Sequence, residues 1–332
     1  MIFKRLIVLS ALFNGIITAA CGGGGGNSPT PVANAPQIAC PADVTVSEVA
    51  TLTQDVTFPA PTVTDGTAPV NTTCDPASGT SFPLGSTKVN CTARDAQSRE
   101  ASCSFNVTLK GFALSAKKFD AIGDSLTAGE IGVAGIVDPP NSYPTKLQAL
   151  LDTYYPGQGM TVINRGESGQ RIEKTEESIP KIVATDRPDA VLLLGGYNNL
   201  TMPCATGLAN TQACRDAINF VAVYTRDCIR RVKETNVGVK YIFVSTMTPP
   251  GPSGGKRIDK DAIIEVNRRV RQYIASERAT LVDSHPVFVG HEAEYVSADG
   301  LHLNPAGYQA LAETFFAVIR TTVPQTPTLR LR

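Results

Sequence analysis

The stretch Ala121-Ile122-Gly123-Asp124-Ser125-Leu126-Thr127 is the most informative part of this chain. Apolar residues typical of a buried strand run directly into a Gly-Asp-Ser-Leu turn, which would expose one serine hydroxyl where a sheet ends. Ser125 is therefore a candidate nucleophile. Because a serine hydroxyl is a weak nucleophile near neutral pH, it also needs a base that a third group holds in place.

Strands and helices alternate from this stretch towards the end of the chain. Short apolar runs, typical of strands buried on both faces, occupy residues 118–123, 160–164, 190–195, 240–246 and 279–283. Amphipathic stretches such as residues 215–235 and 259–276 lie between them and predict helices. The alternation predicts a parallel sheet with helices on both faces, whose strand ends gather at one edge, where ligands bind.

The chain contains three histidines, and one of them lies in a pattern that suits a base. His302 follows Asp299 by three residues, a spacing that brings a carboxylate to one imidazole nitrogen while the other faces outward. Asn304 and Pro305 then predict the N-cap and first residue of a terminal helix. Taken alone, Asp-x-x-His is equally typical of a capping aspartate beside a surface histidine. A metal site is not expected, because no cluster of ligand spacing accompanies the pair.

Two further strand ends carry residues that can stabilise a developing negative charge. Gly169 follows the strand at 160–164, and Asn198 and Asn199 follow the strand at 190–195. Simple turn chemistry would also explain the glycines of these loops.

The order Ser125, Gly169, Asn198 and Asp299-x-x-His302 resembles the block pattern of the SGNH, or GDSL-type, hydrolases over about residues 117–322. The resemblance implies a three-layer α/β/α, flavodoxin-like fold and an esterase or lipase activity without a cofactor. It also implies that Ser125 is the nucleophile, His302 the general base and Asp299 the residue that orients it.

By the same resemblance, the oxyanion hole comprises the backbone N–H groups of Ser125 and Gly169 and the side-chain amide of Asn198. Asn199 stands where the family often has aspartate, and it is the fallback donor. Asp124 either helps to order the serine turn or caps the helix after it, and of these we expect the structural, capping role.

Residues 37–110 predict a separate all-β domain, because apolar and polar residues alternate there with the period of half-buried strands. The segments at 40–44, 74–79, 82–87 and 89–92 resemble the hyalin repeat, an immunoglobulin-like sandwich that serves as a spacer or adhesion unit. The usual Asp-x-x-Gly-Asn turn is replaced by Asp-Ala-Gln-Ser-Arg at 95–99.

Cysteine usage suits an oxidising compartment. Four cysteines of the β domain allow three connectivities, of which we predict Cys40 with Cys91 and Cys74 with Cys103. Cys204 and Cys214 bracket a loop that they can staple. Cys228 lies at helical spacing from Val221, Tyr224 and Val232, which predicts a buried apolar thiol.

The first 21 residues predict a targeting segment, with Lys4 and Arg5 before an apolar run and small residues before Cys21. The ending at 17–21 resembles a bacterial lipoprotein box, which implies that Cys21 is lipidated and becomes the mature N-terminus. Lipidation of Cys21 would anchor the protein in the outer membrane through a Gly- and Pro-rich linker at 22–36; a plain secretory signal is the alternative. Residues 323–332 are assigned to a C-terminal tail.

The formal net charge of zero, from 30 basic and 30 acidic residues, gives no reason to expect a nucleic-acid partner. Together these features predict an extracytoplasmic serine esterase that cleaves short-chain acyl or O-acetyl esters, with polysaccharide as one substrate class. A non-catalytic adhesin or glycan-binding lipoprotein, and an acyltransferase that uses the same triad, are the alternatives.

Overall fold

The computed structural model describes residues 33–49, 51–133 and 136–327. The predicted signal peptide, the lipidation site Cys21 and most of the predicted linker lie outside the described residues. Residues 328–332 of the predicted tail also lie outside them.

The N-terminal domain is strand-rich, as predicted. Its strands are β1 (Gln37–Ala39), β2 (Val44–Val49), β3 (Thr53–Val56), β4 (Thr62–Thr64), β5 (Asn71–Asp75), β6 (Thr80–Pro83), β7 (Gly85–Arg94) and β8 (Glu100–Leu114). β5, β7 and β8 are antiparallel neighbours, and β2 runs parallel to β8. β1 pairs with β4 and β3 with β6. Apolar side chains such as Phe82, Val89 and Val107 are fully buried, which is consistent with an immunoglobulin-like sandwich.

The predicted disulfide pairing in this domain is wrong. The bonds join Cys40 to Cys103 and Cys74 to Cys91. The strand register gives the physical reason, because Cys74 on β5 lies directly opposite Cys91 on β7. With Cys91 taken, Cys40 reaches Cys103 on β8, at a Cα–Cα distance of 5.7 Å.

The second domain contains a five-stranded parallel sheet in the order β10-β9-β11-β12-β13. The strands are β9 (Lys118–Gly123), β10 (Thr161–Gly166), β11 (Ala190–Leu194), β12 (Tyr241–Ser245) and β13 (Thr280–Val282). All five match the predicted strands within two residues at each end. This order is that of the flavodoxin-like fold, in which the strand carboxyl ends form the ligand-binding edge.

Helices flank the sheet. They are α1 (Ser125–Ala128), α2 (Tyr143–Tyr154), α3 (Ile172–Asp186), α4 (Tyr197–Leu200), α5 (Gln212–Glu234), α6 (Lys260–Tyr273), α7 (His285–Phe288), α8 (Glu292–Tyr295) and α9 (Pro305–Thr322). α2 packs against α9, while α3 packs against α5 and α5 against α6. The predicted α/β/α fold is confirmed. Within the described ranges, none of the helices combines the length and the apolar character needed to cross a membrane.

The terminal helix α9 begins where the sequence predicts. The Asn304 side chain accepts hydrogen bonds from the N–H groups of Ala306 and Gly307, and Pro305 occupies the first helical position. The face formed by Tyr308, Leu311, Phe315 and Ile319 is fully buried. This anchoring fixes the position of the loop that precedes the helix.

The chain returns to the first domain after α9. A short strand, β14 (Gln325–Pro327), pairs antiparallel with residues 112–114 of β8. The segment assigned to a tail at residues 323–332 therefore includes a strand that was not predicted from the sequence. Gln158 adds to this junction, because its side chain bonds the carbonyl of Phe112 and the N–H of Leu114.

The remaining cysteines of the second domain agree with their predicted environments. Cys204 and Cys214 form a disulfide between the segment after α4 and the first turn of α5. Cys228 is a buried free thiol, and burial raises its pKa.

Candidate active site

Ser125 is the first residue of α1, and only Asp124 separates it from the end of β9. Gly123 ends β9 and permits the turn, because a Cβ at this position would overlap the carbonyl oxygen of Leu194 on the neighbouring strand. Asp124 caps α1 through a 3.1 Å hydrogen bond from the Leu126 N–H. Ser125 is only 2% exposed. The hydroxyl therefore lies within the site and is not exposed as the turn alone suggests.

The structure brings His302 and Asp299 to this serine. His302 Nε2 lies 2.8 Å from Ser125 Oγ, and His302 Nδ1 lies 2.6 Å from Asp299 Oδ2. The other carboxylate oxygen of Asp299 accepts the N–H groups of Leu301 and His302. The three side chains thus form one hydrogen-bonded chain, held between β9 and α9.

Asp299 stays ionised at neutral pH. Burial opposes its ionisation, but the hydrogen bonds from the His302 ring and from the backbone N–H groups of Leu301 and His302 outweigh burial and hold its pKa well below the usual range. A carboxylate at Nδ1 fixes the proton on that nitrogen and leaves Nε2 as the acceptor for the Ser125 hydroxyl.

Asp124 joins the serine turn to the neighbouring loop. Its second oxygen accepts the backbone N–H of Tyr197, the first residue of α4, at 3.3 Å. Burial raises the pKa of Asp124 to about 6, although the N–H groups of Leu126 and Tyr197 favour its charged form. Asp124 therefore both caps α1 and ties the loop that carries Asn198 to the turn that carries Ser125.

The predicted oxyanion donors lie around the same serine. Gly169 has a φ of 77°, a left-handed conformation that favours glycine. Among the described residues, no backbone acceptor takes the N–H of Ser125 or Gly169. The Asn198 amide donates a 3.0 Å hydrogen bond to the carbonyl of Gln170, which fixes it beside the Gly169 loop and leaves its second N–H for a ligand.

The fallback assignment of Asn199 as oxyanion donor is wrong. Its oxygen accepts the Ile172 N–H at 2.9 Å, and its nitrogen donates to the Glu173 carboxylate at 2.8 Å. Asn199 is buried among these partners and is not among the residues that line the cavity at Ser125. An ionised aspartate here would face Glu173 with a like charge, which gives a physical reason for the amide.

A cavity of about 500 Å³ opens at Ser125 and His302. Gly169 and Asn198 lie on its wall, as the sequence predicts for the oxyanion side. Two charged residues, Glu130 and Lys256, also line it.

Glu130 and Lys256 lie close to the catalytic candidates. Glu130 Oε1 lies 3.6 Å from His302 Nε2, and Lys256 Nζ lies 3.4 Å from both Glu130 Oε1 and Asp299 Oδ2. No sequence motif links these two residues, which are 126 positions apart. The sequence contains two positional signals: Glu130 follows Ser125 by five residues, and Lys256 lies in a Gly- and Pro-rich loop at 249–257, the kind of loop expected to shape the pocket.

We find no candidate metal site in the part of the chain that the structure describes. No group of three or more His, Cys, Asp or Glu residues there is arranged to hold an ion.

Comparisons with known proteins agree with both domains. A family model described as the GDSL-like Lipase/Acylhydrolase family matches residues 121–310, and one described as the HYR domain matches residues 33–109. No curated protein matches the chain.

Solved structures resemble the second domain. A lipase/acylhydrolase from Enterococcus faecalis is 19% identical, with a TM-score of 0.50, and the match covers 63% of this chain and 97% of that one. An α/β hydrolase enzyme from the metagenome of Lake Arreo, Spain, is 22% identical, with the same TM-score and the same shares of both chains. At these identities the likeness shows the fold.

Proposed function

Because this chain belongs to the GDSL-like lipase/acylhydrolase family, a family of carboxylic ester hydrolases, we propose that it cleaves short-chain acyl esters outside the cytoplasm through an acyl-enzyme on Ser125. The observation that carries this proposal is the continuous chain from Ser125 Oγ to His302 to Asp299, with distances of 2.8 and 2.6 Å. Serine hydrolases on unrelated folds use the same geometry.

Acylation begins when His302 Nε2 takes the Ser125 hydroxyl proton and Oγ attacks the ester carbonyl carbon. A C–O bond forms, and the carbonyl electrons move to the oxygen, which becomes an oxyanion. When the tetrahedral intermediate collapses, the bond to the alcohol oxygen breaks, and His302 gives its proton to the departing alcohol. Asp299 remains a carboxylate throughout and stabilises the imidazolium.

Deacylation repeats these steps with water. His302 takes a proton from water, the hydroxide oxygen bonds to the acyl carbon, and the bond to Ser125 Oγ breaks as His302 returns the proton to the serine. The products are the carboxylic acid and the regenerated enzyme.

The N–H groups of Ser125 and Gly169 and the Asn198 amide would stabilise the oxyanion. Fixed donors are effective here because they need no reorganisation when the charge develops. Asp124 supports this arrangement, because it holds the N-terminus of α4 against the serine turn.

The lining of the cavity supports a short acyl group. Ser168 and Thr201 add hydroxyl groups to its charged and amide side chains, and Met202 and Leu301 are the sizeable apolar side chains on its wall within the described residues. A long acyl chain needs a continuous apolar surface to bury its methylene groups. An acetyl group needs much less apolar surface, because it has a single methyl group to bury.

The test is the Ser125→Ala variant with p-nitrophenyl acetate. We expect hydrolysis to fall to the background rate and labelling by a fluorophosphonate probe to disappear, while the melting temperature stays close to that of the wild type. Full activity of Ser125→Ala would exclude Ser125 as the nucleophile. A wild-type protein that neither reacts with the probe nor hydrolyses esters would instead favour the adhesin alternative.

An extracytoplasmic location is supported by three disulfides within the described residues, since such bonds persist in oxidising compartments. The sequence pattern before Cys21 adds the proposal of a lipid anchor in the outer membrane. Mass spectrometry of the mature N-terminus tests the anchor. We expect a diacylglyceryl addition on Cys21, and an unmodified cysteine in a soluble protein would refute it.

A further inference from the structure

The alcohol side of the cavity is distinguished by two charged side chains. Glu130 follows α1, and Lys256 comes from the loop between β12 and α6. We call Glu130 and Lys256 the charged pair. The Glu130 side chain is 6% exposed, and the Lys256 side chain is 39% exposed.

The backbone of Glu130 is fixed on both sides. Its N–H donates to the Ser125 carbonyl at 3.0 Å, and its own carbonyl accepts the Tyr308 hydroxyl at 2.6 Å. The backbone of Lys256 is fixed by one hydrogen bond, because its N–H donates to the Asp299 carbonyl at 2.9 Å. The charged pair is therefore built into the catalytic loops and is not a chance surface contact.

The reaction places the leaving alcohol next to this pair. His302 Nε2 must come within about 3 Å of the alcohol oxygen to protonate it. Glu130 Oε1 lies 3.6 Å from the same nitrogen, and Lys256 Nζ lies 3.4 Å from Glu130 Oε1. Substituents on the alcohol carbon therefore meet the charged pair.

A charged pair next to the leaving group is suited to one kind of alcohol. A purely apolar alcohol would remove water from both charges and offer no hydrogen bond in return, which is unfavourable. A hydroxyl group can donate to the carboxylate and accept from the ammonium at the same time. The charged pair thus favours an alcohol with a second hydroxyl close to the ester.

On the premise of the esterase function proposed above, we propose that Glu130 and Lys256 form the subsite for the alcohol half of the ester. The alcohol they select carries a free hydroxyl on the carbon next to the esterified one, as in a partly acylated sugar or polyol. The charged pair then determines specificity, while the triad performs the chemistry.

The experiment compares kcat/KM for 2-hydroxyethyl acetate and propyl acetate, which have alcohols of similar size and differ by one hydroxyl. The wild type is expected to prefer the hydroxylated ester by about tenfold or more, since hydrogen bonds to charged groups give discrimination of this order. Glu130→Gln and Lys256→Met should each lower this preference by about fivefold to tenfold. The ratio is the readout because any effect of the substitutions on His302 acts on both esters and cancels.

Lys240→Met is the matched control. Lys240 also pairs with an aspartate, Asp189, at 3.1 Å, but it lies next to the start of β12, at the opposite end of the sheet from the site. This variant should keep the wild-type ratio. Fluorophosphonate labelling of Ser125 in every variant reports whether the site is still folded.

Three outcomes would overturn the subsite. The first is a wild type that hydrolyses both acetates equally well. The second is that Glu130→Gln and Lys256→Met lower kcat/KM for both acetates by the same factor, so that the ratio does not change. Each of these two outcomes leaves the proposed esterase function intact. The third is a wild type that hydrolyses neither ester and does not react with the probe, which would refute the esterase function and the subsite together.

Discussion

Asp120 is a buried carboxyl group without a hydrogen-bond donor, and we expect the Asp120→Asn variant to be more stable than the wild type above neutral pH. Asp120 lies in the middle of β9 and is fully buried. Among the described residues, no hydrogen-bond donor reaches either of its side-chain oxygens, whereas the Asp186 carboxylate is within reach of a protonated Asp120. Burial and the neighbouring Asp186 raise its pKa to about 7, although Arg165 and Lys118 favour the charged form.

The magnitude follows from linkage between protonation and folding. The pKa of Asp120 rises from 3.8 to about 7 on folding, and each unit corresponds to about 1.4 kcal/mol. Below about pH 4 Asp120 is protonated in both the folded and the unfolded state, so its titration does not change the free energy of unfolding. As the pH rises from 4 to 7, only the unfolded state loses the proton, so stability falls by up to about 4 kcal/mol. Asparagine does not titrate, and its amide can donate to Asp186.

The assay is the melting temperature of the second domain by calorimetry at pH 5 and pH 8, for Asp120→Asn and the wild type. For a domain of this size, about 2 to 4 kcal/mol corresponds to a rise of about 5 to 15 °C. We expect this gain at pH 8 and less than half of it at pH 5, where only the first part of the interval between the two pKa values has been crossed. Comparing variant with wild type at each pH cancels the contribution of the other titrating groups.

Asp152→Asn is the control, because Asp152 is an exposed aspartate on α2 of the same domain. It should change the melting temperature little at either pH. The reasoning would be refuted if Asp120→Asn gave the same difference from the wild type at pH 5 and pH 8, or if it were the less stable protein at pH 8.

Three further predictions concern the catalytic loops. Asp299→Asn should lower kcat for p-nitrophenyl acetate by about three to four orders of magnitude, because the wrong histidine tautomer would be favoured; a loss below tenfold would contradict the orienting role. Asn198→Ala should lower kcat by about two to three orders with a small change in KM, as expected for an oxyanion donor, whereas an effect confined to KM would indicate a ground-state contact. Gly123→Ala should greatly lower the yield of folded protein, because its Cβ would overlap the Leu194 carbonyl; Gly255→Ala, where nothing lies within 4 Å, is the control, and equal melting temperatures would contradict the overlap.

The parts of the fold that depend on local sequence were predictable. The start of α9 follows from Asn304 and Pro305, because a cap needs only neighbouring residues. The five strands follow from apolar runs, and the second-domain fold from their alternation with helices. The order of Ser125, Gly169 and Asn198 also indicated the site, because parallel strands bring their ends to one edge.

Features that depend on contacts between distant segments were not predictable. The disulfide pairing failed because the register of β5 against β7, which places Cys74 opposite Cys91, leaves no local trace in the sequence. The pairing of Glu130 with Lys256 beside His302 was not predicted, because only tertiary structure brings these two loops together. Asn199 was misassigned because its partner Glu173 lies on another helix.

The two sides of the site differ in charge, and the difference suits the reaction. In the proposed mechanism, the oxyanion side uses neutral donors, which can stabilise a negative charge that forms and disappears in each step. On the other side, Lys256 lies within 3.4 Å of Glu130 and of Asp299, so these three residues and a neutral His302 carry one net negative charge. When His302 takes the serine proton, this group becomes neutral as the new negative charge appears on the oxyanion. The transferred proton thus balances the charge on the side from which the alcohol departs, which explains how a site with two carboxylates beside the base can accommodate an anionic intermediate.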